Sequence, residues 1–265
     1  MELAGAVAVI TGGASGLGAE TGKRLAQRGV KVVLGDMNAE AVEAVAAEIR
    51  ETGGEAIGMA CNVTVDEDVA ALMDRALSEY GKLNIVFANA GIIADSLMIS
   101  PDRETGKVKR VMVSADFRKV IDVNLTGAFI TLREGAARMV DGGWPGLLAV
   151  TSSVNKVGQV GQINYASTKA AVAMWPKLLS AEFHMKNIRN VRVIAIAPGY
   201  AATPILTGMN QDALQAILAD VHMQRLVEPV EIADTIAFAA ENEAIDATCI
   251  EVTGGLTHGP RAIAK

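Results

Sequence analysis

Val7-Ala8-Val9-Ile10-Thr11-Gly12-Gly13-Ala14-Ser15-Gly16-Leu17-Gly18 is the stretch on which the reading of the fold turns. Val7–Thr11 is short, apolar and rich in β-branched residues, the composition of a strand covered on both faces. Glycines crowd the turn, and an amphipathic stretch follows over residues 16–28, stopped by Gly29. Strand, glycine turn and helix in this order make an anion site. Glycines let the backbone turn tightly and let a pyrophosphate approach the helix N-terminus, whose unpaired N–H groups and dipole favour negative charge. The spacing is GxxxGxG rather than GxGxxG, so the signal is moderately specific, and a plain glycine-rich turn is the bland alternative.

Working outward, the same alternation continues. Residues 31–36, 55–61, 83–88, 147–152, 191–197 and 248–252 have strand length and pattern, while 39–51, 66–80, 116–140, 163–186 and 229–241 have helical period. Residues 91–114 show no clean period and carry Pro101, Gly106 and the basic residues Lys107, Lys109 and Arg110; they read as a loop or small hairpin outside the core. Residues 198–227 read as irregular and partly helical. Repeated βα units predict an α/β fold, a doubly wound parallel sheet with helices on both faces. Without a repeat, linker or low-complexity tract, residues 1–265 read as one domain.

The bulk properties narrow the function. The chain has 265 residues, 51% hydrophobic and 4% aromatic, with a net charge of −6. That charge argues against a nucleic-acid or anionic-membrane surface. No apolar run reaches membrane-spanning length. Cys61 and Cys249 sit in no CxxC, and His184, His222 and His258 are too scattered to hold a metal. A reduced protein of the cytoplasm is the expectation.

Asp36 closes the second strand, 18 residues after Gly18. A carboxylate there accepts hydrogen bonds from the two ribose hydroxyls of NAD and repels the 2′-phosphate of NADP. No Arg or Lys lies in the glycine loop to receive that phosphate. Both positions favour NAD.

Tyr165-Ala166-Ser167-Thr168-Lys169 puts a phenol and an ammonium four residues apart, on one face of a helix. An adjacent cation favours the phenolate. Bringing a tyrosine from ~10 to neutrality takes roughly 4 kcal/mol, more than one exposed lysine supplies but within reach of a lysine plus a cationic cofactor ring. Alone, YxxxK is weak, and a helix-surface pair is its more common meaning; the rest of the chain reverses that.

Taken in order, the motifs resemble the short-chain dehydrogenase/reductase family over nearly the whole chain. They are the Thr11–Gly18 loop, Asn89-Ala90-Gly91, Asn124 within Val123–Gly127, a serine pair after the fifth strand, Tyr165 with Lys169, and Pro198-Gly199 followed by Thr203-Pro204. The resemblance implies a Rossmann-type sheet. It implies that Tyr165 exchanges the proton with the substrate oxygen and that Lys169 holds the nicotinamide ribose. A serine would hold the substrate oxygen, and Asn124 would support a water leading from Lys169 to solvent. Gly12, Ser15, Gly16, Leu17 and Gly18 would meet the dinucleotide phosphates, Asn62 and Val63 the adenine, and Asn89, Ala90 and Gly91 the adenosine ribose side. Pro198, Gly199, Ala201 and Thr203 would meet the carboxamide end. It also implies a homotetramer or dimer, for which Ala166, Ala170, Ala171, Ala173 and Met174 offer a smooth apolar face.

The chain departs from the family pattern at Asn62 (usually Asp), at Thr253 (often Asp), in a longer 91–114 connection, and at the serine. Counting back 13 residues from Tyr165 gives Ser152; counting seven on from Gly146 gives Ser153. Strand register resists change more than loop length does, so Ser153 is the expected catalytic serine.

The substrate is less legible. Several segments are similar to short-chain 3-hydroxyacyl-CoA dehydrogenases, and the longer loop resembles that of some 3-oxoacyl-carrier-protein reductases. These point to a secondary alcohol or ketone, with acyl thioesters, steroids, sugars and small alcohols or ketones all open. Lys107, Lys109 and Arg110 suit the phosphates of an acyl carrier or a solvated loop. Ile205, Leu206, Met209, Leu214, Ile217, Leu218 and Met223 suit a substrate lid around residues 200–227 or an ordinary packed helix. A non-catalytic dinucleotide sensor and a purely structural protein are the competing classes.

Overall fold

A computed structural model of the chain describes residues 1–208 and 210–256; Met209 and His258 lie outside them. The elements run β1 (Val7–Thr11), α1 (Gly16–Gln27), β2 (Lys31–Asp36), α2 (Ala39–Glu51), β3 (Ala56–Ala60), α3 (Asp66–Tyr80) and β4 (Ile85–Ala88). A hairpin of β5 (Ile99–Pro101) and β6 (Val108–Val111) follows, then α4 (Ser114–Ile121), a π-helical turn (Asp122–Gly127), α5 (Ala128–Gly142) and β7 (Gly146–Thr151). A 3₁₀ turn (Val154–Val157), α6 (Ile163–Met185), β8 (Val191–Pro198), α7 (Pro204–Thr207), α8 (Gln211–Leu218), α9 (Pro229–Glu241) and β9 (Thr248–Val252) complete the described chain.

The main sheet has seven parallel strands in the order β3-β2-β1-β4-β7-β8-β9. Its strands are apolar along their length because both faces are covered. Ala8 and Ile10 of β1, Ile85 and Phe87 of β4, and Leu147 and Ala149 of β7 pack with Leu25 of α1, Ile49 of α2 and Ile232 of α9. The alternate residues Val7, Val9, Val86, Leu148 and Val150 pack with Leu72 of α3, Met139 of α5 and Val172 of α6 on the other face. Each fully buried Val, Leu, Ile or Phe contributes about 1.5–3 kcal/mol.

Local signals set the helix ends. Asn38 accepts from the Ala41 N–H and starts α2. Three acids occupy the first turn of α3, and Gly81, at φ 75°, closes it. Pro229 opens α9 behind a Glu228/Glu231 capping box. Among the described residues no helix is long and apolar enough to cross a membrane.

One expectation needs correction. The helix expected as one piece over 116–140 is interrupted by the π-helical turn around Asn124. The 91–114 segment, expected as a loop or small hairpin outside the core, contains a two-stranded antiparallel hairpin that pairs with no strand of the main sheet. Its apolar residues Leu97, Met98, Ile99, Val108 and Val111 are exposed, which removed the alternation that marks a strand packed on a core.

Candidate active site

The strand order reverses at β1, between β2 and β4, so the carboxyl ends of these strands open a crevice. The glycine loop lies there. Gly12 has φ +68°, and a Cβ on it would stand 2.8 Å from the Ala90 Cα. A Cβ on Gly18 would fall 2.1 Å from the Gly12 carbonyl oxygen. These two positions admit no side chain, which keeps backbone against backbone at the start of α1. Ser15, exposed just before that helix, makes no side-chain cap, so among the described residues the first-turn N–H groups of α1 lack a side-chain acceptor. Leu17 is half-buried in the same turn.

Asp36 is held at the loop's flank. Its Oδ2 accepts from Ala14 N at 3.2 Å and its Oδ1 from Asn38 N at 3.1 Å. Asn89 bridges three segments: Nδ2 donates to Gly12 O (3.3 Å), Oδ1 accepts from the Thr151 hydroxyl (3.0 Å), and its N–H donates to Thr11 Oγ1 (3.2 Å). The Asn62 carbonyl is occupied by Thr64, whose N–H and hydroxyl both donate to it, at 3.1 and 2.8 Å. With that oxygen occupied twice, Asn62 has its amide N–H groups rather than an acceptor left to offer a ligand. Val63 is buried against Gly127. The uncapped helix start, the glycine cradle and the Asp36 carboxylate together fit a dinucleotide.

Asn124 sits in the π-helical turn, 1% exposed. Its amide pairs with one residue on both ends: Oδ1 accepts from Ile92 N (2.8 Å) and Nδ2 donates to Ile92 O (2.9 Å). The side chain thus pins the start of the 91–114 connection. Gly91 lies between: a Cβ there would be 3.4 Å from Asn124 Oδ1 and 3.7 Å from Lys169 Nζ.

The two serines after β7 point to different places. The Ser152 hydroxyl donates to the Lys169 carbonyl at 2.8 Å, behind the site. Ser153 caps the following 3₁₀ turn by accepting from Asn155 N at 3.1 Å, and its side chain favours the ionised form of Tyr165. Lys169 Nζ donates to Thr151 O at 2.8 Å and stands 5.4 Å from the Tyr165 ring centre. Thr151 therefore joins Lys169, through its carbonyl, to Asn89, through its hydroxyl.

Electrostatics correct the simple picture of an ammonium lowering a phenol. Burial raises the Tyr165 pKa above 10, the Ser153 hydrogen bond opposes this, and the negative charge of Asp95 adds to the rise. Lys169 is itself so desolvated that its pKa falls to about 8. In the chain alone, desolvation outweighs the pair's attraction. Cys61 is remote from this chemistry; burial, with Asp68 and Asp36 nearby, pushes its thiol up to about 12, which makes it inert.

Across the crevice, β8 ends at Pro198, and Gly199 N donates to Val252 O at 2.8 Å. Ala201 bridges to Val227. The Thr203 methyl carbon lies 3.9 Å from the position of a Cβ on Gly16, so this segment faces the glycine loop. Beyond it run α7 and α8, and Val221 bridges back to Leu256. A cavity of about 470 Å³ opens between the 91–114 connection and the outer side of α6, lined by Ser96, Met98, Val157, Ile163 and Ala166; Tyr165 and Ser153 are not in its wall.

Sequence reading passed over Thr151, Asp95, Asn155 and Gln162. Gln162 stands three residues before Tyr165 and Asn155 two after Ser153; helical and turn spacing alone would have brought both to the site. Among the described residues no group of His, Cys, Asp and Glu could hold a metal.

Comparison with known proteins adds the following. Residues 6–214 match the model of the short chain dehydrogenase family. The chain is 37% identical to cis-4-hydroxycyclohexanecarboxylate dehydrogenase of Sinomonas cyclohexanicum, over 95% of this chain and 96% of the relative. It is 34% identical to 2,5-dichloro-2,5-cyclohexadiene-1,4-diol dehydrogenase of Sphingobium indicum, over 97% and 98%. The 3-oxoacyl-[acyl-carrier-protein] reductase of Thermotoga maritima is 31% identical, over 97% and 99%. The structure of a 7α-hydroxysteroid dehydrogenase complexed with NADH and 7-oxo glycochenodeoxycholic acid superposes with a TM-score of 0.85 at 29% identity, covering 97% of this chain and 96% of that one.

Proposed function

The chain belongs to the short-chain dehydrogenase family and is an oxidoreductase acting on alcohols and ketones; from that premise we propose that it uses NAD to interconvert a cyclic secondary alcohol and its ketone. The observation that carries this reading is Lys169, buried beside Tyr165 with its Nζ 5.4 Å from the phenol ring centre and bonded to Thr151 O, with Ser153 acting on the same phenol. The names of the relatives support a ring-bearing substrate, since those acting on cyclohexane- and cyclohexadiene-derived alcohols are the more similar in sequence.

Gly12, Gly16, Leu17, Gly18 and Ser15 would hold the pyrophosphate, Asp36 the adenosine ribose, Asn62 and Val63 the adenine. Asn89, Ala90, Gly91, Pro198, Gly199, Ala201 and Thr203 would frame the rest of the dinucleotide. When bound, NAD supplies the hydride acceptor and a positive ring charge. Ser153, its oxygen already accepting from Asn155, keeps its proton for the substrate oxygen. Tyr165 gives that oxygen a proton in ketone reduction and takes one in alcohol oxidation. Its raised pKa makes it a ready proton donor in the chain alone; for oxidation it needs added positive charge, from Lys169 and the cofactor. Lys169, with a pKa of about 8, can release and regain a proton near neutrality. Asn124 fixes Ile92 and the loop above.

Asp36 supports NAD over NADP, because its carboxylate is already fixed by two N–H donors where a 2′-phosphate would come. Residues 200–227 act as a substrate lid on one domain spanning 1–265. Exposed Phe129, Met174 and Leu178 on α5 and α6 support a homodimer or tetramer built through that face. The free thiols of Cys61 and Cys249 suit the cytoplasm.

A second reading, a 3-oxoacyl thioester substrate, is favoured by the similarity to the acyl-carrier-protein reductase and by exposed Lys107 and Arg110 on the hairpin. An absorbance assay at 340 nm separates the two. NAD(H)-linked turnover of cyclohexanols or cyclohexanones, lost in Tyr165→Phe, supports the first; turnover confined to acetoacetyl-CoA supports the second. NADH binding without turnover of either class counts against catalysis and for a sensor.

A further inference from the structure

Beside the Ser153–Tyr165 pair, three polar side chains form one hydrogen-bonded file. Gln162 donates from Nε2 to Asp95 Oδ2 at 2.8 Å, and Asn155 donates from Nδ2 to Gln162 Oε1 at 2.9 Å. An ionised carboxylate only accepts. Asp95 therefore turns the Gln162 nitrogen toward itself, which turns the Gln162 carbonyl toward Asn155, which in turn draws the Asn155 nitrogen. The file has one direction, and it leaves the Asn155 carbonyl oxygen at its end. That Oδ1 is buried and has no hydrogen-bond partner among the described residues, a costly state that native proteins reserve for a purpose.

The file touches the reacting groups. The Asn155 N–H donates to Ser153 Oγ, Gln162 precedes Tyr165 by three residues, and the Asp95 charge reaches Tyr165. A carboxylate and an unpaired carbonyl oxygen thus belong to the file that touches Ser153 and acts on Tyr165. A hydroxyl donates to such acceptors; an ether does not, and a carboxylate adds like charge.

We propose that Asn155 and Asp95, with Gln162 as the positioning residue between them, select substrates that carry a second hydrogen-bond donor near the reacting carbinol, such as a cyclic diol, and disfavour a carboxylate there. The proposal rests on the reading of Ser153 and Tyr165 as the alcohol-handling pair.

The test is kcat/KM with saturating NAD for cyclohexanol, the 1,2-, 1,3- and 1,4-cyclohexanediols, their monomethyl ethers and the hydroxycyclohexanecarboxylates. At least one diol should exceed its own ether by about tenfold or more, with the carboxylates poorest. In Asn155→Leu the diol-to-ether ratio should fall to near one. Asp95→Asn, at an exposed position, covers the case that the buried change impairs folding: there the carboxylate-to-cyclohexanol ratio should rise severalfold. Ratios within one variant are insensitive to the fraction of protein folded. Equal handling of diols and ethers by the parent chain overturns the proposal alone, as does a diol preference that survives in Asn155→Leu. Turnover of no secondary alcohol overturns the functional reading and this proposal with it.

Discussion

Replacing Lys169 with methionine removes an ammonium that the folded chain holds almost wholly out of water. Burial takes its pKa from 10.5 down to about 8. Between those values the folded chain binds fewer protons than the unfolded one, so stability rises with pH. The penalty is absent above 10.5 and complete below about 8. It amounts to about 3 kcal/mol at neutral pH, of which about 2 kcal/mol is recovered near pH ~9.5. The variant also loses the bond from Nζ to Thr151 O, which works in the opposite direction. The absolute stability of Lys169→Met is therefore a poor test, whereas the pH dependence of its difference from the parent is a clean one, because the other titrating groups are common to both. Urea unfolding of both cofactor-free proteins, at one concentration, near pH ~7 and ~9.5, should show the difference moving by about 2 kcal/mol in the parent's favour at the higher pH. A difference that does not change with pH would refute the idea that Lys169 is a desolvated ammonium at neutrality.

Other outcomes follow from the same geometry. Tyr165→Phe should lower turnover by about 100- to 10,000-fold while NADH affinity, read by fluorescence titration, stays within a few-fold. Ser153→Ala should cut kcat by about 100-fold; Ser152→Ala should instead cost about 0.5–1.5 kcal/mol in urea unfolding, because the Lys169 carbonyl, already in the α6 ladder, loses its second donor. Asp36→Asn keeps an acceptor but removes the charge, and the NADPH-to-NADH ratio of kcat/KM should rise about tenfold, equivalent to about 1.4 kcal/mol. Gly18→Ala drives a methyl into the Gly12 carbonyl and should abolish NADH binding in calorimetry, whether or not the chain still folds.

The sheet was readable because its strands are buried on both faces and bounded by turn residues: β1 and β2 end in sequence where they end in space, at Thr11 and Asp36. Residues 91–114 read only as a loop or small hairpin, and the bounds of β5 and β6 were not legible, since their apolar side chains face solvent and obey no core-facing period. The glycine loop and the Tyr165–Lys169 spacing were legible as motifs. The directions of their pKa shifts were not, because desolvation depends on what the whole fold stacks around a group. The Asp95–Gln162–Asn155 file was invisible for a related reason. Its members come from the 91–114 connection, the 3₁₀ turn and the start of α6, and only the fold joins them. Nor did Asp122-Val123-Asn124-Leu125-Thr126-Gly127 betray a π-helical turn, since its composition differs little from that of an ordinary helix carrying a glycine.

That turn acts as a phase change. A residue spliced into a helix rotates everything beyond it by about 100°. Within the turn, Asn124 is presented to Ile92; downstream, α5 lays Gly135 against Val86 and Met139 into the sheet-side core. The two orientations are out of step by the one extra residue. Deleting a single residue between 122 and 127 would restore a regular helix with better-formed backbone bonds, and would then face a choice of phase. Either the core keeps its side chains and Asn124 swings off Ile92, or Asn124 stays and α5 presents the wrong face to the sheet. The wide turn is what lets one rod serve two masters, and it ties any lengthening or shortening of that segment to both packing and the site.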